Sequence, residues 1–165
     1  MNNYQYYRWH SLYLTGKISK DQYYEVFNEY PLHLYSFRAD YEVANYLKTH
    51  AKPGASIRTI NGGGDTIIHY LSGLKSPTRF TSTWYLFNPD LYDNPLTIQL
   101  RNEFFRGIRT EKPDYILLIY YNTEEFKKAY NNKNYSDVHE LFTYLDEHYV
   151  LDKSFRDRRI LYKRI

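Results

Sequence analysis

At 165 residues the chain has the length of one ordinary domain, enough for a real core and too little for two substantial ones. Its 22 Lys and Arg against 19 Asp and Glu leave a formal charge of +3, too mild an excess to argue for nucleic acid by itself. With no cysteine there is no disulfide framework and no thiolate metal site, and the longest strongly apolar run, residues 115–121, falls far short of the roughly 20 residues that span a bilayer, so the chain as given reads as soluble.

The 21 tyrosines, beside 9 phenylalanines and 2 tryptophans, must leave many rings at least partly exposed. Either tyrosine has replaced other large residues as a compositional bias, or the rings form contact surfaces for carbohydrate, lipid or a partner. Residues 1–15 concentrate this character: Tyr4, Tyr6, Tyr7, Trp9 and Tyr13 are mixed with Arg8 and His10, without the pattern of a signal peptide. Such a segment suits the level where a membrane meets water, with Tyr6, Tyr7, Arg8 and Trp9 as contacts; the alternative is a helix packing its rings on the domain. Residues 16–165 form a single α/β domain.

Ser19, with Asp21 and Gln22 in the first turn, caps a helix carrying Tyr23, Tyr24, Phe27 and Tyr30, and Pro31 ends it. The organising stretch follows at residues 40–74. Tyr41, Ala44, Leu47 and Lys48, with Val43, give one helix an apolar side, and Lys52-Pro53-Gly54 stops it. Residues 56–61 are β-branched-rich and suit a buried strand. Three glycines follow, and Asp65 caps a helix through Ile67, Ile68, Tyr70 and Leu71. Residues 79–85 read as a second strand. Leu96, Leu100, Phe104 and Ile108, four apart, make one helical stripe, which residues 111–114 close ahead of the most convincing buried strand, residues 115–120, expected at the centre of the sheet. Residues 123–130 read as a helix. Ser136 caps another helix through Val138, Leu141, Phe142, Leu145 and Tyr149, and residues 149–155 and 159–164 form an antiparallel strand pair. The expected fold is α/β and three-layer-like: a mixed, mainly parallel sheet with the antiparallel pair at its C-terminal edge, flanked by helices.

The candidate ligand or sugar contact is Gly62, Gly63, Gly64 and Asp65, at a strand-to-helix junction where open α/β folds hold a phosphate. The run lacks both the GxGxxG spacing and a P-loop lysine, and Asp65 puts negative charge where a phosphate needs a positive field. A tight turn, or a sugar held through Asp65, is therefore preferred to a phosphate. His69 lies one helical turn after Asp65 and completes a possible pair, with a plain surface hydrogen bond as the alternative. The six histidines show no metal-ligating spacing, and no serine lies in a nucleophile elbow. The basic terminus, with Lys153, Arg156, Arg158, Arg159, Lys163 and Arg164, would place several cations on one strand face against anionic lipid head groups or nucleic acid. A charged edge strand that resists aggregation explains it equally well.

The series 16–19 with Tyr23 and Phe27, then 40–48, Lys52-Pro53-Gly54, 69–80 and 112–116 resembles the soluble C-terminal domain of bacterial polytopic membrane glycosyltransferases of the dolichyl-phosphate-mannose mannosyltransferase and aminoarabinose transferase type. The resemblance spans about residues 16–165. It implies an extracytoplasmic accessory domain following the last membrane helix, with the membrane domain of the same polypeptide as its partner and a polyprenyl-phosphate sugar and its acceptor nearby. The family's catalytic carboxylates belong to loops of the membrane part, so none is carried onto this chain; no cofactor is expected in it, and any divalent-metal requirement belongs to the parent enzyme. The three consecutive glycines depart from the family pattern. The alternative is a free-standing α/β nucleotide- or sugar-binding protein using the loop at 62–65. No nucleic-acid partner is expected, since a module resting on the basic terminus and exposed rings is the weakest of the three classes.

Overall fold

The computed structural model describes residues 3–28, 37–60, 65–76, 80, 83–119, 136–156 and 159–165. It begins with two helices, α1 (Asn3–Leu14) and α2 (Lys20–Asn28), joined through Gly16 at φ 69. The capping box at the start of α2 is complete: Gln22 N donates to Ser19 Oγ at 3.1 Å and Ser19 N donates to Gln22 Oε1 at 2.8 Å. Helix α3 (Phe37–His50) buries Ala39, Asp40, Val43, Ala44 and Leu47 and turns at Gly54, φ 81, into strand β1 (Ile57–Ile60). Helix α4 (Asp65–Ser72) follows and buries Ile68, while Tyr70 on its far side faces solvent.

Residues 83–85, the end of the strand expected at 79–85, are not extended. Trp84–Phe87 and Pro89–Leu91 are two short 3₁₀ turns. A strand would point successive side chains to opposite faces. The 3₁₀ turn instead sends both Leu86 and Phe87 into the core, and Leu86 N donates to Thr83 O at 3.1 Å. Positions 79, 81 and 82 of that expected strand lie outside the described residues, as do the expected helix at 123–130 and the ends Tyr30 and Pro31 of the second helix.

Helix α5 (Pro95–Glu111) starts with Pro95 behind an Asn94 cap that accepts from Leu96 N and Thr97 N, and ends at Lys112 in the left-handed region, φ 45, ahead of Pro113. The buried face of α5 is Thr97, Arg101, Phe104, Phe105 and Ile108; the four-spaced stripe fails at its start, where Leu96 is 62% exposed. Arg101 displaces the stripe by burying its own guanidinium, which donates from Nη1 to Leu86 O at 3.0 Å and from both Nη atoms to Tyr92 O at 3.2 Å, over the Tyr92 ring.

Strands β2 (Tyr115–Ile119), β3 (Tyr149–Phe155) and β4 (Arg159–Arg164) complete the sheet, with helix α6 (Ser136–His148) between β2 and β3. The order is β1-β2-β4-β3, with β1 parallel to β2 and both remaining pairs antiparallel. The sheet is therefore mixed but not mainly parallel. Strand β3 does run in the direction of β2, but it lies one position too far out, and β4 folds back into the gap between them. The antiparallel pair is thus half interior, with β4 beside β2 and β3 alone at the edge.

Helices cover both faces. One core joins Ile60, Ile116, Leu118 and Tyr149 to Phe104, Phe105 and Ile108 of α5 and Val138, Leu141 and Leu145 of α6. The other joins Ile57, Tyr115, Leu117, Ile119 and Leu161 to Val43 and Leu47 of α3 and Ile68 of α4. The α1–α2 hairpin lies outside α3, with Tyr13 stacked on Tyr23 at 4.8 Å between ring centres, Tyr24 against Tyr41 at 4.9 Å, and Lys20 above Tyr41 at 4.4 Å.

The displaced face of α5 is open to a direct check by chemical denaturation. Arg101→Ala should cost about 3 kcal/mol, since it strands two buried carbonyls. Leu96→Ala, on the apparent stripe, should cost under about 0.5 kcal/mol.

Candidate functional site

The parallel pair sets one end of the sheet apart. Ile60 ends β1 and Ile119 ends β2 at that edge, and because β3 runs the same way, Phe155 ends and Arg159 begins there too. Helix α4, next after β1, packs on one face, and α6, the next described helix after β2, packs on the other. Among the described helices the successors of this parallel pair take opposite faces, the arrangement of a topological switch point, where open α/β sheets bind their ligands; residues 120–135, between β2 and α6, lie outside the described residues.

Gly62, Gly63 and Gly64 lie outside the described residues, between the last residue of β1 and the first of α4. Asp65 opens α4, and its side chain is not described, so its pairing with His69 also lies outside the described atoms. His69 is half-buried, with Nδ1 3.4 Å from Leu74 O. Burial, and secondarily the nearby Arg58 charge, lowers its pKa, while the Leu74 carbonyl opposes the shift.

Arg159 corrects the expectation of a membrane-facing cation. It is buried on the α3 side of β4 and donates from Nε to Asp40 Oδ1 at 3.0 Å, with Asp40 buried as well. Alternation from Leu161, which lies in the α3 core, forces Arg159 inward. Around this pair, Arg38 contacts Glu25 and Glu42, and Arg156 contacts Glu42 at 2.9 Å and Glu25 at 3.8 Å. The groups form a clamp joining α2, α3 and the β3–β4 turn, and their opposite charges neutralise one another.

The remaining basic residues disperse. Arg158 lies outside the described residues. Arg164 turns to the opposite end of the sheet, and Lys153 lies 4.5 Å above the Tyr46 ring, on the α3 side because a bulge at residue 152 shifts the register of β3. In α1, Tyr7 is 69% exposed and Arg8 is also exposed, whereas Trp9 is partly covered; the side chain of Tyr6 is not described. His10 Nδ1 sits 3.0 Å from Tyr23 Oη, so part of this helix packs its rings on α2, as the alternative reading had it.

A residue the sequence reading passed over is Arg58. It is 1% exposed in the middle of β1, above the Phe104 ring, and Nη2 donates to Glu111 Oε2 at 2.7 Å. Among the described residues Nε and Nη1 find no hydrogen-bond partner. Burial pulls its pKa down and Glu111 opposes that shift. The guanidinium fits because residue 107 is glycine: a Cβ there would stand 2.8 Å from Nη2. The signal was present in residues 56–61, since a strand buried on both faces must also bury its arginine. Among the described residues no group of three His, Asp or Glu is placed to hold a metal ion.

Removing Glu111 leaves a cation buried with no partner, whereas removing Arg58 takes the buried charge away. Glu111→Ala should therefore cost about 2 kcal/mol, after allowance for the partial exposure of Glu111, and Arg58→Met less, roughly 1 kcal/mol, by urea titration. A folded-state His69 pKa below its unfolded value means that the unfolded chain takes up the proton first. Stability contributed by neutral His69 is full above the unfolded pKa and falls as pH drops below it toward the folded value. His69→Gln should flatten that acid-side slope in stability measured against pH.

No protein-family model matches the chain, and no curated protein or solved structure matches it either.

Proposed function

We propose that this chain is a sugar-binding accessory domain of a membrane glycosyltransferase, lying on the extracytoplasmic side and helping to select the acceptor for a polyprenyl-phosphate sugar donor. The observation that carries the binding role is the switch point between β1 and β2, with the glycine run and Asp65 between β1 and α4. Asp65 at that junction suits hydroxyl groups better than a phosphate. The glycosyltransferase setting rests on the ordered motif resemblance. Gly16, Gly54, Gly73 and Lys112, the described residues with positive φ, all fall inside the resembling motifs, so those motifs mark the turns of this fold. The exposed Tyr7 and Arg8 of α1 suit a membrane surface, with the membrane domain of the same polypeptide as partner. No described helix is long and apolar enough to cross a membrane. Catalytic carboxylates and any divalent metal belong to the membrane part in this reading.

The same switch point also favours a second reading, a free-standing α/β protein that binds a nucleotide or sugar through residues 62–65. Fractionation of native cells separates the two. The accessory reading expects an antibody to this domain to stain a membrane-fraction band several times larger than the 165-residue chain, and expects no sugar transfer by the isolated chain. A soluble band of the chain's own size, with tight nucleotide-sugar binding in calorimetry that Gly63→Val abolishes, would establish the second reading.

A further inference from the structure

At the end of the sheet away from the switch point, the amino ends of β1 and β2 enclose a pocket of about 280 Å³, just under the roughly 300 Å³ at which small-molecule sites begin. Its lining includes the buried residues Ala55 and Tyr115. The charged side chains around it are Lys52, Asp114, Lys163 and Arg164, three cations against one anion, with His50 beside them, its ring stacked on Tyr46 at 4.1 Å; Ile165, the last residue of the sequence given, also lines it and brings its α-carboxylate to the rim. Asp152 of β3 adds negative charge beyond the pocket, near Tyr115.

The anion inside is already answered. Asp114 Oδ2 accepts from Ser56 N at 2.9 Å and Ser56 Oγ at 3.1 Å, and Oδ1 accepts from Arg164 Nη2 at 3.1 Å. Arg164 is pinned at its other Nη by Lys112 O, 2.8 Å away, a carbonyl that the left-handed cap of α5 turns toward it. Lys52 and Lys163 are exposed and make no ion pair among the described residues, yet their backbones are fixed, Lys52 in the turn whose carbonyl accepts from Ala55 N and Lys163 in register with Tyr115 of β2. Two lysines held on a rigid frame around a partly apolar cavity raise the local potential without stabilising the fold, and that excess fits a group carrying two negative charges.

We propose that this pocket binds a small phosphomonoester, its phosphate between Lys52 and Lys163 and its organic body against Ala55 and Tyr115. The site lies at the other end of the sheet from the switch point and does not rest on the function proposed above.

Calorimetry on the full chain at low salt, with glucose 6-phosphate, inorganic phosphate and glucose as probes, tests it. Glucose 6-phosphate should bind more tightly than inorganic phosphate, and glucose should not bind. The double variant Lys52→Ala/Lys163→Ala should weaken glucose 6-phosphate by about tenfold or more, the consequence of losing two charged hydrogen-bond donors, with its thermal melt unchanged because both side chains are exposed. Arg106→Ala, which removes an exposed cation on α5 outside the pocket, should bind as the parent does. No binding of either phosphate probe, equal affinity in the double variant, or an equal loss in Arg106→Ala would each overturn the proposal.

Discussion

Strand β2 is buried at every position from Tyr115 to Ile119, and the rest of the chain is arranged to cover its two faces. A strand with no polar face must have a layer of helix on each side. That requirement explains why the chain crosses the sheet between β1 and β2, laying α4 on one face and α5 on the other, and why α6 returns to the α5 side before β3. The lateral edges of β2 need partners as well. Strand β1 supplies one, and β4 supplies the other by folding back between β2 and β3. The mixed sheet thus follows from seating the most apolar strand in the middle.

Three arginines, Arg58, Arg101 and Arg159, are buried in this framework, each with a different solution to the cost of removing a cation from water. Arg159 meets a buried carboxylate, Arg101 meets main-chain carbonyls released by the 3₁₀ turns, and Arg58 meets a half-exposed carboxylate together with an aromatic face. Each ties together parts distant in sequence: α3 to β4, the 3₁₀ region to α5, and β1 to the end of α5. Apolar burial sets the layers, and these cations then fix how the elements sit on one another.

This division explains what could be read in the sequence. Apolar spacing located α3, α5, α6 and the central strand, and the short connection between residues 155 and 159 gave the last two strands their antiparallel pairing. Strand adjacency was hidden, because alternation of helix and strand specifies direction along the chain and not position in the sheet; β3 has the expected direction and an unexpected neighbour. The 3₁₀ turns at 84–91 were hidden because aromatic and threonine residues suit a strand locally, and only the depth of Leu86 and Phe87 together reveals the turn. Outside a strand buried on both faces, arginine carries no signal of its own burial. Arg159 was therefore assigned to a surface, and the cations of the last hairpin were counted as one cluster although the bulge at residue 152 and the strand pleat divide them between two faces. Of the candidate site, the placement between β1 and α4 was legible at 62–65; the switch point was not, since it depends on which face α6 takes.

The two ends of the sheet differ in how their charge is balanced. At the carboxyl end of the parallel pair, Asp40 with Arg159 and the glutamates with Arg38 and Arg156 cancel one another, and charge there serves to hold helices to strands. That balance among the described residues accords with the proposed sugar role, in which Asp65, hydroxyl and main-chain groups would carry recognition. At the amino end, Arg164 is consumed by Asp114 and Lys112, and among the described residues Lys52 and Lys163 make no ion pair. Uncompensated like charges beside a cavity add repulsion and no packing, so the fold does not account for them. In the two proposals opposite ends of one small sheet therefore take different ligands, a phosphate at the amino end and hydroxyl groups at the carboxyl end.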